Sequence, residues 1–255
     1  MTRFTISLAG IPIGVSVLHQ ETAEKYQGYL AEDIPIFSVG VTQRHIAHER
    51  ALVRRLAAQD AQTFGHLQAE AALDDQSAYH QIAERLPEFG AMLIHGSAVA
   101  VDGQAYLFLA PSGTGKSTHV RLWREYFGPR AVMVNDDKPV LSFREDGVWI
   151  SGTPWQGKEN LGNPISVPLR AACVLRRAAV NQVRPLSVLE AYPGLVQQCY
   201  AFEEAAHMAQ ALQLLERLAE SVPMFRLGCN MEPEAARVAY EGIEETLRNR
   251  REGEA

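Results

Sequence analysis

Apolar residues recur at every second position through the opening of the chain, in Phe4-Thr5-Ile6-Ser7-Leu8, then Ile11 to Leu18, then Ile34 to Val41. A period of two sets one face of an extended chain against a core, so these stretches predict strands, punctuated by Gly and Pro. The period lengthens at Ala47 to Ala58, where Leu52 and Leu56 fall on one face of a helix. A second helix is expected from about Ala69 to Leu86, halted by Pro87 and Gly90. Short, dense apolar runs follow at Ala91 to Ile94, Ala98 to Val101 and Tyr106 to Leu109, the last two joined by a turn at Val101-Asp102-Gly103-Gln104.

A helical pattern then begins near Ser117, runs to about Tyr126, and gives way to a strand at Ala131 to Val134. Val140 to Phe143 and Val148 to Ile150 flank Asp146-Gly147, a hairpin signal. A loop rich in Gly and Pro, Gly152 to Pro168, leads to a strand at Ala171 to Leu175. From about Pro185 the pattern is mainly helical. Met208, Leu212, Leu215 and Ala219 share one face, and Ala236, Ala239, Ile243 and Leu247 share another after the helix-start signal Glu232-Pro233. Met224 to Leu227 adds one strand between them. The pattern predicts an α/β fold in two parts: a small β-rich N-terminal region, 1–65, and a second region, 66–255, whose C-terminal end is helical.

Composition narrows the class. At 255 residues, 47% apolar and 21% charged, the chain is an ordinary folded protein, long enough for one large α/β domain or one with an appendage. A net charge of -6 gives no basic field for nucleic acid or anionic lipid. Cys173, Cys199 and Cys229 lack C-x-x-C spacing and read as buried or semi-buried thiols in a reducing cytosol. No run approaches ~20 apolar residues and the N-terminus lacks a signal-peptide pattern, so a cytoplasmic protein without a membrane partner is expected.

The chemistry concentrates in Ala110-Pro111-Ser112-Gly113-Thr114-Gly115-Lys116-Ser117-Thr118, between an apolar strand and a helix start. Gly113 and Gly115 allow a tight turn with close backbone approach to a polyphosphate. The N–H groups of the first helical turn and the helix dipole favour its charge. Ser112 through Thr118 are thus candidates for binding a nucleoside triphosphate, with Lys116 reaching the β/γ-phosphates and Ser117 holding magnesium. Ala110 stands where the usual pattern has its first glycine; its methyl fits if φ stays negative. Asn135-Asp136-Asp137 closes the next strand, where a magnesium-holding carboxylate belongs. Neighbouring side chains in extended chain point to opposite faces, so one acid can face the metal and the other the nucleophile. His95, at another strand end, can exchange protons if it lies in the cleft. In Gly152-Thr153-Pro154-Trp155-Gln156-Gly157-Lys158, Trp155 offers a packing face and Lys158 a charge for a phosphate.

In order and approximate spacing, His95-Gly96, Ala110 to Thr118 and Asn135-Asp136-Asp137 resemble the HPr kinase/phosphorylase superfamily, whose nucleotide core is shared with ATP-dependent phosphoenolpyruvate carboxykinase. Gly152 to Lys158 looks like a feature of an HPr-kinase-like branch, some of it associated with maturation of ribosomally made peptides. The resemblance implies a P-loop core of that type, ATP and Mg²⁺ as cofactors, and self-association. It also implies Ser117 and Asp137 on the metal, Asp136 as the base taking a hydroxyl proton, and His95 near that base or the γ-phosphate. Thr118 departs from the acidic residue common in HPr kinases, and the C-terminal motif for binding HPr is not found. The expected activity is therefore phosphorylation of a hydroxyl on a protein, peptide or small molecule other than HPr. The alternative is a nucleotide-binding regulatory module with little or no transfer.

Overall fold

The computed structural model describes residues 1–59 and 69–253, so the boundary expected near residue 65 lies outside the described residues. Among them the chain forms two sheets. The smaller holds β1 (Thr2–Leu8), β2 (Ile11–Val17) and β3 (Phe37–Gly40), with β1 antiparallel and β3 parallel to β2. The alternation read from sequence is realised, with Ile6, Leu8, Ile13 and Val15 all buried. Between β2 and β3 runs α1 (Gln20–Lys25), too short for the periodicity to signal; α2 (Gln43–Gln59) follows. The next helix, α3 (Glu70–Arg85), lays Leu73, Ala78 and Ile82 on this sheet's core. Its wholly buried Asp74 accepts the backbone N–H groups of Leu18 at 2.9 Å and His19 at 2.8 Å. A carboxylate can be sealed from water only with donors of this kind.

The larger sheet is mixed. Its strands are β4 (Ala91–Leu93), β5 (Ser97–Val101), β6 (Gln104–Leu109), β7 (Ala131–Asn135), β8 (Val140–Arg144), β9 (Gly147–Ser151), β10 (Ser166–Arg177), β11 (Gln182–Pro185) and β12 (Met224–Cys229). They lie in the order β4-β8-β9-β10-β6-β5-β7, with β12 pairing β10 and β11 pairing β12. Long β10 is the pivot: it starts antiparallel to β9, continues parallel to β6 and ends parallel to β12. A register shift between Leu169 and Ala171 marks the changeover. Such an irregularity bends a strand and tightens its twist, and it accommodates Pro168 nearby.

The strand expected at Met224 to Leu227 forms, as β12, a parallel strand beside β10 with Phe225 and Leu227 buried. Two expectations are corrected here. The loop expected to reach Pro168 stops earlier, because β10 begins at Ser166. The β8–β9 turn residues are Glu145 and Asp146, while Gly147 opens β9.

On one face of this sheet α4 (Lys116–Phe127) and α7 (Glu234–Gly253) pack Trp123, Phe127 and Ile243 against Phe108 and Phe225. On the other, α5 (Val188–Val196) and α6 (Ala205–Ser221) pack Leu195, Leu215 and Leu218 against Leu107 and Met224. Each such fully buried large side chain contributes about 1.5–3 kcal/mol. Cover on both faces explains why β6 reads as a continuous apolar run rather than an alternating one. Because β5 is antiparallel to both β6 and β7, and β6, β10 and β12 run parallel, the C-terminal ends of β6, β7, β10 and β12 share one edge. In open α/β sheets that edge is where ligands bind. No helix among the described residues is long and apolar enough to cross a membrane.

Candidate active site

At that edge β6 ends at Leu109, Ala110 is buried, and the chain turns through Pro111 to Gly115 into α4. Gly113 has φ +75° and Gly115 φ +125°, conformations that cost an L side chain dearly. Ala110 is not among the residues of positive φ, so its methyl is accommodated. No side chain caps the start of α4, which leaves its first N–H groups available to an anion. Ser112 and Ser117 are exposed, and Thr114 and Thr118 half-buried. Arg177, at the end of β10, donates Nε to the Thr114 carbonyl at 3.1 Å and Nη2 to the Gly113 carbonyl at 2.6 Å. Since a peptide plane sets N–H opposite C=O, holding the Thr114 carbonyl aims the Gly115 N–H the other way.

Lys116 is buried, donating Nζ to the Ala110 carbonyl at 2.7 Å and to His95 Nε2 at 3.2 Å. On the far side of the ring, His95 Nδ1 donates to Gln198 Oε1 at 2.8 Å, and its backbone N–H to the Gln198 carbonyl at 2.8 Å. That partner sets the tautomer, leaving the Nε2 lone pair toward Lys116. Burial, then the Lys116 charge, pulls the His95 imidazole below its ordinary value. Burial likewise lowers the Lys116 ammonium, opposed by the Asp137 carboxylate. Asp137 Oδ1 stands 3.5 Å from His95 Nε2, and Oδ2 3.2 Å from Lys138 Nζ.

Buried Asn135 organises the acid pair. Its Nδ2 donates to Thr153 Oγ1 at 3.1 Å, and its Oδ1 accepts the N–H groups of Asp137 at 2.8 Å and Lys138 at 2.7 Å. The strand ends in this turn, and the two aspartates part company. Buried Asp136 accepts the Gly157 N–H on Oδ1 at 2.7 Å, and its Oδ2 makes no hydrogen bond among the described residues. A Cβ at Gly157 would lie 3.0 Å from Asp136 Oδ2, so a larger residue there would displace the carboxylate by a few tenths of an ångström. Ser97 Oγ and the Gly96 N–H, donating to the carbonyls of Asp136 and Asp137 at 2.8 and 2.9 Å, stitch the start of β5 to the same turn.

The structure therefore brings His95, Lys116 and Asp137 into one cluster, with Asp136 in the adjoining turn. Lys158 is exposed and forms no ion pair among the described residues. Asn135, Thr153 and Ser97 hold the acid pair, and Gln198 holds His95 from behind. Asn135 adjoins the acids and was readable as a turn residue; Gln198 lies 103 residues from His95 and nothing local marks it. For Mg²⁺, the Ser117 hydroxyl and Asp137 carboxylate are hard oxygen donors. Among the described residues no three His, Cys, Asp or Glu cluster as a metal cage. A two-donor set of this kind suits an ion that keeps waters and rides on phosphate oxygens.

Fold and site together define a mixed α/β protein with a glycine-rich turn opening a helix at the C-terminal edge of its sheet. A family model described as SynChlorMet cassette protein ScmC matches residues 66–245, and the chain belongs to that family. No curated protein matches the sequence. Among solved structures, the Hpr(Ser) kinase/phosphatase from Coxiella burnetii matches at 12% identity and a TM-score of 0.36, over 64% of this chain and 93% of that one.

Proposed function

We propose that this chain is an ATP- and Mg²⁺-dependent kinase that transfers the γ-phosphoryl group to a hydroxyl of a protein, peptide or small molecule. One arrangement supports the reading: Lys116, rooted in the glycine-rich turn, lies 3.2 Å from His95, whose Nε2 lies 3.5 Å from Asp137. Residues 112–118 would cradle the triphosphate in a P-loop core, with Lys116 released from the Ala110 carbonyl to a phosphate oxygen. Ser117 and Asp137 would hold Mg²⁺, which supplies charge neutralisation at the phosphates. The free Oδ2 of Asp136 suits a proton acceptor. The acceptor oxygen bonds to the γ-phosphorus, the bond to the β–γ bridging oxygen breaks, ADP leaves with that electron pair, and the hydroxyl proton passes to Asp136. Neutral His95 would keep Lys116 oriented without adding charge, and Lys158 would meet a phosphate from its loop. Such transfer needs positioning and electrostatics more than covalent chemistry, and that is what the site offers. Residues 66–255 would form the kinase-like domain and 1–65 contribute to acceptor recognition.

The test is a titration of Mg·ATP into the full chain, followed by γ-labelled ATP with candidate acceptors. Saturable binding and label transfer, both lost in Lys116→Ala, are expected. A wild-type chain with no affinity for Mg·ATP would end the proposal, and binding without any transfer would replace it with the regulatory-module reading.

A further inference from the structure

Between α2, α3 and the segment at Tyr200 lies a cavity of about 760 Å³, within the size range of small-molecule sites. Leu52, Leu56, Tyr79 and Tyr200 give it apolar walls, and its charged lining is Glu49, Glu84 and Glu203 against Arg44 and Lys138. Glu49 is only 4% exposed. Its Oε1 accepts from His80 Nδ1 at 2.8 Å, while Oε2 is sealed from solvent without a partner among the described residues. The other ring nitrogen of His80 sits 2.8 Å from the Gln76 side-chain amide. One oxygen of the Glu49 carboxylate is thus left buried and unpartnered among the described residues. A sealed carboxylate oxygen in that state is costly, and a cationic donor would satisfy it. No cluster of three ligating residues stands here for a metal ion among the described residues, so an organic cation fits the chemistry better.

The cavity also touches the proposed reaction centre. The His80 and Tyr79 rings are 5.2 Å apart, Lys138 Nζ is 5.0 Å from the Tyr79 ring, and the same Nζ is 3.2 Å from Asp137. The geometry points to this cavity as the acceptor site, for a molecule with an ammonium or guanidinium group paired to Glu49 and an apolar stem along Leu52, Leu56, Tyr79 and Tyr200. Its hydroxyl would extend past Lys138 toward Asp137 and the turn that also carries Asp136. The acceptor role rests on the kinase reading; the preference for a cation does not.

The cation is tested without nucleotide by calorimetric titration of the full chain with 6-aminohexan-1-ol, its neutral counterpart hexane-1,6-diol, and the capped dipeptide acetyl-Lys-Ser-amide. At least one amine is expected to bind tenfold or more tighter than the diol, and Glu49→Gln to erase the difference. The tighter of the two amines tells a free amino alcohol from a peptide side chain as the source. No preference for the amine, or a preference that survives Glu49→Gln, overturns the proposal. If Glu49→Gln does not fold, Leu56→Trp narrows the cavity from a residue remote from the carboxylate, and undiminished amine binding in that variant overturns it equally. Amine binding by a wild-type chain without affinity for Mg·ATP would overturn only the acceptor role.

Discussion

The ends of β6 and β7 lie at the same sheet edge and solve opposite problems. At the end of β6 the backbone is the instrument: positive-φ glycines, uncapped helix N–H groups and carbonyls held back by Arg177. At the end of β7 side chains are the instrument: Asn135 folds the turn, Gly157 approaches Asp136, and Asp137 joins the His95 and Lys116 pair. A backbone site tolerates side-chain changes that leave its φ values intact. A side-chain site fails when any one partner moves. The first suits gripping a ligand of fixed charge, and the second suits selecting where a proton goes.

That contrast can be broken in graded ways. The largest separation is expected from Asp136→Asn, which keeps Mg·ATP affinity within a few-fold but lowers turnover by about 10²–10⁴, the usual worth of a general base. Turnover close to wild type would remove Asp136 from the chemistry. Gly157→Ala sets a methyl against the same carboxylate, and roughly tenfold lower turnover at unchanged nucleotide affinity is expected from the displacement. Arg177→Ala should do the reverse, weakening Mg·ATP binding by about tenfold or less through two lost hydrogen bonds at an exposed side chain. A turnover defect without a binding defect would contradict its role at the turn.

The smallest effect on turnover is expected at His119, on the buried face of α4, whose Nε2 accepts from Trp123 Nε1 at 3.0 Å. Burial pushes its pKa down to about 4. Below pH ~6.5 the unfolded chain gains a proton that the folded chain refuses, so stability falls as pH drops from ~6.5 toward that value. Denaturant titrations should show this loss, up to about 3 kcal/mol, shrinking in His119→Leu with activity near neutral pH retained. An unchanged pH slope would mean that another group carries it.

Local patterns were legible wherever short-range physics decides the outcome. The alternation of β1 and β2, the turn at Asp102 and Gly103, the helix after Gly115 and the stripe from Ala236 to Leu247 each depend on residues a few positions apart. The order of His95, the glycine-rich turn and the acid pair was read as a motif series along the chain. The placing of β12 beside β10 was not legible, because parallel pairing joins segments about fifty residues apart that share no local signal. Nor was Gln198 against His95, Arg177 against the turn, or the half-paired carboxylate of Glu49 in a helix whose leucines read only as a stripe.

The sequence by itself determined which residues carry charge, which backbone positions accept unusual φ, and which segments extend or coil, since these follow from each residue and its near neighbours. Only the tertiary structure decided which groups meet. Burial strips water from His95, Lys116 and Glu49, and whether a buried charge then finds a partner depends on chain segments that sequence distance does not relate.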